Sequence, residues 1–147
     1  MDLTPFLGHF HSQTPGIGRC PGGRGVRFHE TLSLTDEGRF VHYRQKAVEV
    51  DTGAVLHVED AVLRDHGDGM ELSLVMSSGR VELGHVQHQD DTLILEGVRF
   101  ENDRKGVRGA RRILRLDGDV LHKELWLATP VWPELTKHMW GTLVRGS

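Results

Sequence analysis

Cysteine is nearly absent: Cys20 is the single one in 147 residues. No internal disulfide can form, and a reducing compartment fits that composition best. Cys20 sits in Gly18-Arg19-Cys20-Pro21-Gly22-Gly23, with no neighbouring base or helix start to stabilise a thiolate, so it reads as a spectator thiol. A basic excess is also lacking. Lys and Arg number 18 against 21 Asp and Glu, and the formal charge of −3 argues against a nucleic-acid partner. No apolar run approaches the length of a membrane span, and Met1-Asp2-Leu3-Thr4 has neither a basic start nor an apolar stretch. The expectation is a cytoplasmic chain without membrane association, organised as one domain over residues 1–147.

Core-length helical patterns are missing too, and strands stand in their place. Thr4-Pro5-Phe6-Leu7 reads as one helical turn, capped by Thr4 with Pro5 at its first position. Gly8-His9-Phe10-His11 reads as a short strand, and residues 12 to 25 as the long loop near the start. Beyond Gly25 the alternation of strands begins: Val26, Phe28, Leu32 and Leu34 share one parity, and Arg27, His29, Thr31 and Ser33 the other. Turn signals follow at regular intervals, among them Asp36-Glu37-Gly38, Asp51-Thr52-Gly53, Ser77-Ser78-Gly79 and Asp117-Gly118.

About ten strands result, which predicts an all-β fold: a sandwich or an up-and-down barrel. Some strands are polar or mixed on both faces, as in His42, Arg44 and Lys46 against Tyr43, Gln45 and Ala47. A closed barrel tolerates that, because its interior can hold a ligand. The reading adopted is a single antiparallel up-and-down barrel of the calycin or lipocalin kind, with a short N-terminal helical turn and a cavity.

Ten histidines are many for this length. His9 and His11 share one strand face, but no cysteine or carboxylate accompanies them at zinc-ligand spacing, so a solvated face is expected. His29, His42, His66, His85, His88 and His122 show no partner in sequence and default to the surface. The cations Arg104, Lys105, Arg108, Arg111, Arg112 and Arg115 cluster in one stretch. They are expected to form a solvated loop and strand face, the alternative being a patch for an anionic partner.

The segment Arg111 to Thr129, with its Asp-Gly hairpin, followed by Leu135-Thr136-Lys137-His138-Met139-Trp140-Gly141-Thr142-Leu143-Val144-Arg145, resembles the C-terminal end of nitrobindins. These are ten-stranded, fatty-acid-binding-protein-like barrels that bind heme. The resemblance runs from Phe6 to Arg145 and is strongest over the last 35 or so residues. Met70 to Glu82 is similar to a further family hairpin. By this resemblance His138 falls at the proximal heme ligand and is the one metal-binding candidate. Leu56-His57-Val58-Glu59 is similar to a pocket strand, which makes His57 a lining candidate, and Leu127 falls near an apolar lining position. Thr14-Pro15-Gly16-Ile17 loosely echoes the family's distal segment and brings in Ile17. The opening Gly8-His9-Phe10 departs from the family, with phenylalanine at a tryptophan position and a shortened glycine run, so the distal side is where the resemblance carries over least.

What the resemblance implies is a ferric heme b protein that binds nitric oxide and isomerises peroxynitrite to nitrate. Heme and nitrogen oxides would be its partners, and the exposed strand faces leave room for a homodimer contact. The contrasting reading is a barrel that carries a fatty acid or another apolar small molecule without chemistry.

Overall fold

The computed structural model describes residues 2–19 and 25–146. Cys20 and part of the expected 12–25 loop lie outside them. A 3-10 turn at Thr4–Phe6 precedes β1 (Gly8–Ser12), β2 (Gly16–Arg19), β3 (Gly25–Asp36), β4 (Val41–Glu49), β5 (Val55–Asp65) and β6 (Met70–Met76). Then come β7 (Val81–Gln89), β8 (Thr92–Glu101), β9 (Gly109–Asp117), β10 (Val120–Ala128) and β11 (Thr136–Arg145). Each strand from β3 onward pairs antiparallel with the next. β1 and β2 each pair with both β3 and β11. They are two halves of one interrupted strand, and they close a ten-strand barrel.

The N-terminal turn forms where Pro5 predicts it, but Leu3 is the cap residue and Thr4 is not. The Asp2 carboxylate accepts the Thr4 N–H at 2.9 Å instead. β2 falls in the segment expected to be loop. Its inward positions are Gly16 and Gly18, so the apolar alternation that marks a strand is missing.

Closure gives the barrel two unlike ends. At one end the connections are tight turns, and the 3-10 turn plugs the opening with Leu3 and Phe6, both in the apolar core. Arg145 fastens this plug: it donates to the Pro5 carbonyl at 2.8 Å and to the Leu7 carbonyl, and its guanidinium lies 4.7 Å from the Phe10 ring centre. Above the plug, Leu32, Leu34, Leu63, Leu72, Leu114 and Leu143 fill the lumen. Each sits on the inward parity of its strand, as period-2 burial requires. At the other end the connections 102–108 and 129–135 are longer.

Between the two ends lies a buried layer of charge. Arg112, on β9, is fully enclosed; its guanidinium donates to Glu59 at 2.7 Å and to Glu82 at 2.8 Å. Arg80 closes on Glu82 at 3.0 Å, and Tyr43 donates its hydroxyl to Glu59 at 2.9 Å. Beside them Lys123 is paired with Glu30, which also accepts from Gln45 Nε2 at 2.7 Å. Three cations and three carboxylates thus meet inside the barrel. A buried charge is tolerated only when paired and hydrogen-bonded, and this set is both. The expectation that Arg112 belongs to a solvated face is therefore corrected. Its neighbours in alternation, Ala110 and Leu114, are buried with it.

Candidate functional site at the barrel mouth

Three strand pairs carry a register shift, and all three lie toward the open end: β4–β5 at Ala47/Val48, β7–β8 at Leu83/Gly84, and β10–β11 at Leu125/Trp126. In the last, Leu125 pairs with Met139 and Trp126 with Lys137, so His138 is the extra residue with no cross-strand partner. A bulge re-aims the side chain it inserts and often lies beside a functional site. His138 is placed by one.

The imidazole of His138 is half-buried, and its Nε2 is fully enclosed without a hydrogen-bond partner among the described residues. Trp132 packs against the ring, with centroids 4.8 Å apart and planes inclined at 57°. The Thr129–Trp132 turn holds that indole: Thr129 N–H donates to the Trp132 carbonyl at 2.8 Å, and Trp132 N–H donates to Thr129 Oγ1 at 3.2 Å. Burial, reinforced by the cations Arg19 and Lys105, lowers the His138 pKa. The ring is therefore neutral at physiological pH, with a lone pair available to a metal.

His57 stands on the inward parity of β5, two residues before Glu59. Its Nε2 lies 3.0 Å from Met139 Sδ, and its Nδ1 is buried without a partner among the described residues. Burial also lowers its pKa, only partly opposed by the Glu59 and Glu30 carboxylates. Leu127 shares the inward parity of Leu125 at the rim and pairs with Ala110 and Thr136. His138, His57 and Leu127 are thus brought to one end of the lumen, with Met139 linking the first two.

Ile17 is placed otherwise. It is 44% exposed on the outward parity of β2, opposite Trp140, while Gly16 and Gly18 face inward. A Cβ on Gly18 would come within 3.3 Å of both Met139 and Val26, so glycine there lets β2 lie close against the mouth contents. Among the remaining histidines, His9, His11, His29, His66 and His85 are exposed as expected. His42 is half-buried and bonds Asp60 at 2.6 Å, and His88 packs edge-on against Phe6 at 5.5 Å. Among the described residues no group of three His, Cys, Asp or Glu side chains could hold a bare metal ion.

Sequence reasoning missed the charged layer and the contribution of Met139 and Trp132. The parity of Arg112, Glu59 and Glu82 was a usable signal for the layer. The Met139 contact was not readable, since it depends on barrel closure.

An all-β barrel, plugged at one end and with the neutral histidines His138 and His57 at the other, has the architecture of a small-molecule binding protein. Residues 1–145 match the family model described as a THAP4-like, heme-binding beta-barrel domain, and the chain belongs to this nitrobindin family. Among solved structures, it is similar to the crystal structure of Rv2717c from M. tuberculosis, at 28% identity and a TM-score of 0.79, over 99% of this chain and 95% of that one. The curated proteins contain no match. The fold and the heme-binding class expected from the C-terminal segment are both upheld.

The residues at the mouth suit a heme. A buried, unpaired and neutral imidazole nitrogen such as His138 Nε2 is a donor that would hold an iron porphyrin.

Proposed function

We propose that the chain binds ferric heme b at the barrel mouth through His138 and reacts there with nitrogen oxides. The observation that carries this reading is the enclosed, partnerless Nε2 of His138 on a bulge. An unsatisfied buried nitrogen costs about 1–3 kcal/mol, a cost that coordination removes. The protein's own residues then have separable tasks. His138 holds the iron, while Trp132 and its turn fix the plane of the imidazole. His57, Leu127 and Met139 line the pocket. Arg19 and Lys105, close enough to bias His138, make the rim positive and favour anions, including the heme carboxylates and peroxynitrite.

Held there by His138, ferric heme would supply the iron chemistry for binding nitric oxide and isomerising peroxynitrite to nitrate. The barrel's part is to position that site and to limit access of water. The fatty-acid carrier reading is disfavoured by the charged layer. A tail entering the mouth would run into Glu59, Arg112 and Glu82 instead of apolar side chains.

The test is hemin titration of the heme-free protein, followed by Soret absorbance, wild type beside His138→Ala. Saturable one-to-one binding is expected in the wild type, with binding or axial coordination lost in the variant. An unchanged Soret band in His138→Ala would remove His138 from its role. Peroxynitrite decay with the loaded protein is the next assay, and a decay no faster than with free hemin would end the isomerase reading.

A further inference from the structure

The contact between His57 Nε2 and Met139 Sδ fixes a proton. A thioether has lone pairs and no hydrogen to give, so at 3.0 Å the contact is a hydrogen bond only when Nε2 is the donor. A neutral ring carries one N–H, which leaves Nδ1 as an acceptor. That atom is buried and has no partner among the described residues. Gln45 Oε1 is in the same situation. Its identity is not in question, because the amide's other end must be the NH2 that donates to Glu30 Oε2 at 2.7 Å.

Gln45 pairs with Glu59, and His57 pairs with Ala47, across the same two strands. The two side chains are therefore diagonal neighbours on one inner face. Two buried acceptors so placed fit a small molecule with two donors, and water is the smallest. A donor to Nδ1 reinforces the proton on Nε2, as the hydrogen bond at one ring nitrogen sets the state of the other.

We infer that His57 is a fixed Nε2–H donor facing the mouth, where it favours anionic over neutral ligands. Met139 sulfur serves as a weak acceptor that a better one displaces. The selectivity rests on the heme reading above; the position of the proton does not. A donor to an anion makes a shorter and stronger hydrogen bond than a donor to a thioether. His57 would thus be a specificity-determining residue, giving to an anionic ligand a bond that nitric oxide cannot match.

Two measurements decide it. In heme-free protein carrying 15N-histidine, NMR at neutral pH should show the His57 proton on Nε2 and none on Nδ1, with the assignment made by loss of the signal in His57→Gln. A proton on Nδ1 would overturn the inference. In hemin-loaded protein, fluoride is the anionic probe. His57→Leu should lower the ratio of fluoride to nitric oxide affinity by roughly tenfold or more, and His57→Gln should recover part of the loss through its amide N–H. An equal ratio in wild type and His57→Leu would overturn the selectivity while leaving heme binding intact. If the wild type takes up no hemin, the heme reading and the selectivity built on it fail, whereas the NMR result still decides the donor.

Discussion

Arg112 shows how one side chain can hold two others in an environment they would otherwise reject. Burial alone would push the Glu59 carboxyl upward; the Arg112 guanidinium, with Lys123 behind it, more than reverses this and holds it well below the usual carboxylate range. Burial likewise works against the charge on Arg112, and Glu59 and Glu82 raise its pKa in return. Arg112→Leu leaves Glu59 buried without its guanidinium and Glu82 with Arg80 alone, and a loss of about 3–5 kcal/mol is expected in urea unfolding. Adding Glu59→Gln should recover part of it, because the uncompensated charge goes too, while Glu82 keeps Arg80. Glu59 also sets a pH dependence. Its folded pKa lies below the unfolded value of 4.5, so its stabilisation is complete above that pH and is lost as pH falls. Urea midpoints between pH 6 and pH 3 should therefore drop steeply in wild type and less in the Arg112→Leu/Glu59→Gln double variant. Arg112 was legible in sequence only through its parity between Ala110 and Leu114; the density of charge around it pointed to solvent instead, as charge runs usually do.

Elements supply the next level of control, through the three bulges near the mouth. Each inserts one residue, Leu56, Val98 or His138, between paired neighbours. An inserted residue bends its strand and increases the local twist, which helps ten strands close around a lumen. At Gly84 the strands approach so closely that a Cβ would lie 1.8 Å from the Glu96 carbonyl oxygen. That oxygen belongs to backbone and cannot step aside. Gly84→Ala should cost about 3 kcal/mol, the upper end for overpacking, and a melting temperature unchanged from wild type would show that the strand can separate there without loss. The strands themselves were legible because alternation and turn residues agreed along most of the chain. The bulges were not, since a single inserted residue breaks the alternation no more than an ordinary polar substitution does. β2 was hidden for a related reason, its inward positions being glycine where apolar side chains would have marked them. His138 was recognised by its surrounding sequence; the bulge that gives it its exceptional placement became visible only with the register.

The whole molecule is a stack of three unlike layers: an apolar plug, a charge-compensated partition and an open mouth. Folding energy comes mainly from the first, where the buried leucines and phenylalanines lie. The partition separates that core from the mouth, so a change of occupancy at the mouth need not disturb the packing below. A ligand that binds only the folded barrel must nevertheless stabilise all of it by mass action. At a free hemin concentration a hundredfold above Kd the gain is about 2.7 kcal/mol. For a chain of this size each kcal/mol corresponds to roughly 2–4 °C, so a rise of about 5–10 °C in melting temperature follows. Differential scanning calorimetry with increasing hemin should show this rise growing with the logarithm of hemin concentration, and His138→Ala should abolish most of it. Equal shifts in both proteins would mean that hemin adheres to the barrel without using the bulge that places His138.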